Sequence, residues 1–269
     1  MSSYDVSFHP ILRGAFVPPD FTGVLRSRHS GVINFEMSDE SGSYFVSLIT
    51  DGNDWTAFSI RVDPEDLRRV ARIPEGATVR CTCRSPHNVS PVPPVPERPP
   101  RELTDAIHPA IAALTQTDRI TGLMPLVVAE GPGTGEDPFL RRARAVVAKA
   151  VNGFPPYDLS PLVGLGIGFT PSGDDFLGGV LLLQQIARVA LVQTAPIGTA
   201  LGKTTTGGAT VLRLALAGAP PDYLSRVADA LLRGDPTAAL SVARAHGHSS
   251  GLDALAGLLW GITAAGTII

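Results

Sequence analysis

The sequence predicts an α+β protein: a small N-terminal β barrel or sandwich followed by a mainly helical C-terminal domain. Three observations predict it. Short runs rich in Val, Ile, Phe and Thr, separated by turn formers, fill residues 1–84. A proline-rich stretch then covers residues 85–100. Beyond it, Asp-Pro and Thr-rich starts introduce longer apolar segments with helical spacing over 101–269.

In the first domain the expected strands are Phe21–Arg26, Val32–Met37, Tyr44–Thr50, Thr56–Val62 and Thr78–Cys83. The turns are His29-Ser-Gly31, Asp39-Glu-Ser-Gly42 and Asp51-Gly-Asn-Asp54, and the stretches 38–43 and 51–55 suit hairpins. Asp63-Pro64 reads as an N-cap with proline in the first turn, opening a short helix that ends before Pro74. Cys81 and Cys83 read as ordinary strand residues, because Cys-x-Cys with no further Cys or His partners is a poor metal signature. Proline fixes φ and removes a donor, so 85–100 reads as an extended connection between domains.

The helical part is expected to open with a helix over 104–114, then one from Asp137-Pro138 to about Val151 bearing Arg141, Arg142 and Arg144 on its exposed side. A strand is the alternative for 123–129. A long helix runs from Pro171 to about Val192, with Thr170 as its N-cap. Thr205 or Thr206 caps the next, Pro220-Pro-Asp222 opens another ending at Gly234, and Asp235-Pro236 opens one ending near His246. Ser249 or Ser250 caps the last.

The chain is organised around Gly164-Leu-Gly-Ile-Gly-Phe-Thr-Pro-Ser-Gly-Asp-Asp-Phe-Leu177. Glycines at 164, 166 and 168 disfavour helix and permit close approach, and they feed directly into a helix start carrying two carboxylates. Such a start offers backbone N–H groups and a favourable dipole to an anion. The pattern Ser172-Gly-x-Asp175-x-Leu177-x-Gly179-x-Leu181 returns as Ser250-Gly-x-Asp253-x-Leu255-x-Gly257-x-Leu259, at a constant offset of 78 residues. If the two are counterparts, both helix N-termini belong to one cleft.

Asp174 and Asp175 are candidate catalytic groups. A capping box from Ser172 to Asp175 explains one carboxylate; for the other, general acid–base work, a Mg²⁺ ion held through water and a hydrogen bond to a substrate amide are all open. His248, in the turn before the second start, is a third candidate, while His246 suits a helix C-terminus. Candidate binding residues are Gly166, Gly168, Thr170, Ser172, Gly173, Lys203, Thr205, Thr206, Ser249, Ser250, Gly251 and Asp253. Gly202-Lys-Thr204 lacks the glycine spacing and preceding strand of a phosphate loop. His-Glu-x-x-His and the dinucleotide fingerprint are absent, which removes the commonest zinc protease and dehydrogenase readings.

A net charge of −3, with 22 basic and 25 acidic residues, gives no electrostatic footprint for nucleic acid or an anionic membrane. No apolar run reaches membrane length and the N-terminus has no signal-peptide pattern, so a cytoplasmic protein is expected.

The run Gly164–Gly179 resembles the hallmark of a bacterial family, and Gly247-His-Ser-Ser-Gly-x-Asp-x-Leu-x-Gly257 resembles its second signature. Thr204–Thr206 falls where that family has a threonine-rich segment. One branch is the third subunit of oxamate carbamoyltransferase, an enzyme of allantoin degradation that converts oxalurate and phosphate to oxamate and carbamoyl phosphate. The resemblance covers most of 120–269 and is loose over 1–100; Ile167-Gly-Phe169 stands where Pro and Leu are expected around the glycine. It implies a small anionic substrate, phosphate and partner subunits. A metabolite-binding module without chemistry and a structural adaptor are the alternatives.

Overall fold

The computed structural model describes residues 3–40, 42–84, 89–92, 95, 97–98, 102, 121–128 and 137–266. The chain divides into two compact units, Met1–Pro93 and Pro94–Ile269. The expected helix over 104–114 lies outside the described residues.

The first unit is one mixed sheet of eight strands. They are β1 (Ser3–Phe8), β2 (Leu12–Gly14), β3 (Asp20–His29), β4 (Val32–Asp39), β5 (Gly42–Ile49), β6 (Ser59–Arg61), β7 (Thr78–Cys83) and β8 (Val89–Ser90). Their order is β1-β7-β3-β4-β5-β6-β2-β8. The series is open: no pairing joins β1 to β8 among the described residues, so the expected closure into a barrel is not seen. Hairpins β3–β4 and β4–β5 turn at Gly31 and Gly42, as the turn residues require. The stretch 51–55 is not a hairpin, because β5 and β6 pair in parallel, Ser47 opposite Ser59. Alternation along β3 buries Phe21 and Leu25, and the ring of Phe21 meets Phe35 edge-on at 6.0 Å. Cys81 and Cys83 are free and share the buried face of β7, as residues two apart on a strand do. Helix α1 (Pro64–Val70) is capped by Asp63, whose carboxylate accepts the Glu65 N–H.

The second unit is helical. It holds α2 (Pro138–Val151), α3 (Ser172–Ala187), α4 (Thr194–Thr199), α5 (Thr206–Leu216), α6 (Asp222–Leu232), α7 (Pro236–Ala245) and α8 (Ser250–Gly266). Asp137, Thr205 and Asp235 cap α2, α5 and α7 through their side chains. On α2 the core face is Leu140, Ala143 and Val146; Arg141 and Arg142 are exposed, whereas Arg144 is half-buried and donates to the Pro125 carbonyl. Residues Met124–Leu126 form a 3-10 turn where a strand was the alternative, since Pro125 withholds a ladder donor.

Helix α3 departs from expectation at both ends. It starts at Ser172 with Pro171 as N-cap and no side-chain cap, and Thr170 is engaged elsewhere. It stops at Ala187, because Arg188 adopts a left-handed conformation (φ 53°). The Gln184 Oε1 then accepts the Leu191 and Val192 N–H groups, each at 2.8 Å, and fixes the turn. No described helix is long and apolar enough to cross a membrane.

Helices α3 and α8 are buried almost all round and cross at their glycines. A methyl at Gly179 would lie 2.0 Å from the Ala254 oxygen, and one at Gly257 would lie 1.9 Å from the Phe176 oxygen. These neighbours are themselves counterparts, since 254 is 176 displaced by the 78-residue offset of the repeat. The two copies therefore pack about a pseudo-twofold axis, with glycine against backbone on each side.

Candidate functional site

Contact between backbones at the crossing draws the two helix starts together. Thr170 Oγ1 and Ser250 Oγ hydrogen-bond at 2.9 Å across the repeat. Behind them lie three carboxylates, Asp174, Asp175 and Asp253, each at most 2% exposed.

Asp175 receives the hydroxyls of Ser250 and Thr170, and Asp253 receives those of Ser172 and Ser249. The pattern is crossed: each aspartate of one copy takes the leading serine of the other. Asp253 Oδ1 also accepts the Leu123 N–H at 2.6 Å. Asp174 faces a different way, its Oδ1 accepting the Gly164 N–H at 2.9 Å and its Oδ2 the Thr204 hydroxyl. One oxygen of each paired aspartate, Asp175 Oδ2 and Asp253 Oδ2, is buried without a hydrogen-bond partner.

Burial dominates the electrostatics. It raises Asp174 and Asp253 to about 6, against hydrogen bonds from Thr204 and Gly164 in the first and from Leu123, Ser172 and Ser249 in the second. Asp175 is pushed well above the usual carboxylate range by burial, then by the charge of Asp253, with Asp174 adding to both.

Around this centre the glycine loop is held by backbone geometry. Gly164, Gly166 and Gly168 all have positive φ, and a methyl on Gly166 would lie 2.7 Å from the Ser172 nitrogen. The loop leaves Ile167 and Phe169 exposed, and the Phe169 carbonyl accepts the Thr205 hydroxyl at 2.6 Å. Gly173 and Gly251, equivalent in the repeat, each press against a carbonyl, that of Leu162 and that of Ala243.

The structure therefore gathers Thr170, Ser172, Asp174, Asp175, Ser249, Ser250 and Asp253 into one cluster, flanked by Gly166, Gly173 and Gly251. Thr205 is a helix cap, and Thr206 begins α5 with its carbonyl taken by Thr210. Lys203 and Gly168 are exposed at the margin. His248 is exposed in the turn before α8. His246 instead stacks on Tyr223, ring centroids 3.5 Å apart. Among the described residues no three His, Cys, Asp or Glu side chains are grouped to hold a metal ion, so the Mg²⁺ role gains no donor set here.

Two contributors escaped the sequence. Thr204, first of three consecutive threonines, is the one that reaches Asp174, and only the backbone decides which of the three does so. The Leu123 N–H arrives from 130 residues away and carries no side-chain signal.

No curated protein and no solved structure matches the chain. A family model described as oxamate carbamoyltransferase subunit AllH matches residues 162–262, which run from two residues before the glycine loop into α8. Over that stretch, which holds both helix starts and all three aspartates, the chain is similar to the AllH family, and the resemblance read from its two signatures is shown there.

Proposed function

We propose that the helical unit serves as a subunit of an oxamate-carbamoyltransferase-like enzyme, binding a small carboxylate- and ureido-bearing substrate together with phosphate at the joined helix starts and working with other subunits. The observation that carries this reading is the crossed hydroxyl–carboxylate arrangement. A serine or threonine hydroxyl that donates inward to a buried carboxylate keeps its lone pairs outward. Thr170, Ser172, Ser249 and Ser250 are all half-buried, so together they form an acceptor rim suited to the N–H groups of a ureido moiety. The aspartates behind them, at most 2% exposed, orient the rim. They also repel an anion, which directs the carboxylate and phosphate of the ligands outward. There the first N–H groups of α5 and the exposed Lys203 supply positive charge.

Calorimetric titration with oxalurate in the presence of phosphate tests the reading. The parent chain, alone or assembled with its partner subunits, binds. Asp175→Asn leaves the melting temperature nearly unchanged and weakens binding at least about tenfold, because the amide no longer holds the Ser250 and Thr170 hydroxyls in the orientation the rim needs. Equal affinity in parent and variant would leave Asp175 with no part in binding, and a parent that does not bind in either state overturns the reading.

A further inference from the structure

Two oxygens of the cluster have no task in the hydrogen-bond scheme described above. Asp175 Oδ2 and Asp253 Oδ2 are both enclosed by protein, both without a partner, and related by the pseudo-twofold of the repeat. Neither aspartate takes part in an ion pair of the described residues. Two ionised carboxylates enclosed together without a counter-ion carry a large desolvation cost and repel one another. A water would bridge the oxygens and leave both charges. A single proton removes one charge, needs no cavity, and supplies the donor that the orphan oxygens lack.

We infer that Asp175 and Asp253 hold one proton in common, a carboxylic acid–carboxylate dyad built across the two helix starts. Its surroundings decide which member carries the proton. Asp253 has the Leu123 N–H at 2.6 Å on Oδ1 and the hydroxyls of Ser172 and Ser249, all of which stabilise its charged form. Asp175 has the hydroxyls of Ser250 and Thr170, but it also has a second negative neighbour in Asp174. Asp174 is the further titratable group acting on the pair, and its own oxygens are spent on Gly164 and Thr204. The proton therefore sits on Asp175, and Asp253 is the ionised member. Burial pushes both carboxyls up, and the charge of Asp253 pushes Asp175 up further, in keeping with this assignment.

The Ser250–Thr170 hydroxyl pair connects Asp175 to the half-buried rim. The use of the proton, unlike its existence, rests on the proposed function. In carbamoyl transfer from a ureido group to phosphate, the C–N bond breaks and its nitrogen must gain a proton. A C–O bond forms and the phosphate hydroxyl loses one. The dyad supplies the first through the hydroxyl pair and regains the second, ending the cycle as it began.

Infrared and carboxyl-¹³C titration of the full chain, without any ligand, tests the dyad. The parent near neutral pH shows one protonated aspartic acid that persists well above the ordinary carboxylate range. Asp175→Asn abolishes that signal, leaving Asp253 to ionise as a single group. Asp253→Asn removes the repulsion and moves the Asp175 transition toward acid. Zero or two retained protons in the parent would overturn the inference even if neither variant folds, as would a signal that survives Asp175→Asn. A parent with the dyad but no affinity for oxalurate would sink the proposed function and leave the dyad standing.

Discussion

Asp174 spends both its oxygens inside the protein, on the loop that bears Gly164 and on the turn that bears Thr204, and so links two segments that the chain keeps 40 residues apart. Burial raises it from 3.8 to about 6, so the folded state holds its proton more tightly than the unfolded one. A carboxylate of that kind destabilises the fold as pH rises through the interval. Relative to Asp174→Asn, the parent should lose up to roughly 3 kcal/mol of stability between about pH 4 and pH 6 and vary little on either side. Urea midpoints of both proteins across that range measure it; a difference that does not change with pH would contradict the assignment. Thr204→Val should cost about 1–3 kcal/mol at neutral pH, because it strands Asp174 Oδ2 in the interior. Thr205 was legible in the sequence as a cap because caps have a positional rule. Thr204 was not, because nothing in three identical side chains says which one turns inward.

The crossing of α3 and α8 is the element on which the site depends, and its glycines are not equivalent. Gly179→Ala and Gly257→Ala each drive a methyl into a facing carbonyl, and each should cost about 3 kcal/mol or more while separating the two helix starts. Gly178 is the control: its added methyl would meet only Val211 Cγ1 at 3.5 Å, an ordinary contact. Gly178→Ala should be neutral or stabilise by up to about 1 kcal/mol through helix propensity. Unfolding curves for the three variants separate close approach from a general dislike of glycine. The repeat was readable because it is written in residue types, and four side-chain helix caps at Asp63, Asp137, Thr205 and Asp235 were readable for the same reason. The end of α3 was not, since Arg188 gives no sign that it will adopt a glycine-like φ. Strands β1, β2 and β8 also escaped notice, because two of them are three residues or fewer and β1 finds its partner β7 some 75 residues away.

At the level of the whole molecule, the change from short β-branched runs to capped apolar segments gave the α+β class, but not the order of the sheet. Three of its pairings are parallel, and two of them, β1–β7 and β2–β8, join strands some 75 residues apart, so local pattern holds no information about such partners. In the helical unit the long-range order is simpler, because one half of the site lies on α3 and the other on α8. That division makes the protein separable. A chain opened at the exposed Gly234, between α6 and α7, yields a large fragment with Asp174 and Asp175 and a short one with Asp253. Each exposes a strip of bare glycine backbone shaped for the other. Co-expressed, the two pieces should copurify as a complex, and Gly257→Ala in the short piece should abolish their association. The site would then behave as a lock whose two halves are inert apart and assemble by recognising each other, a ready-made basis for a split reporter.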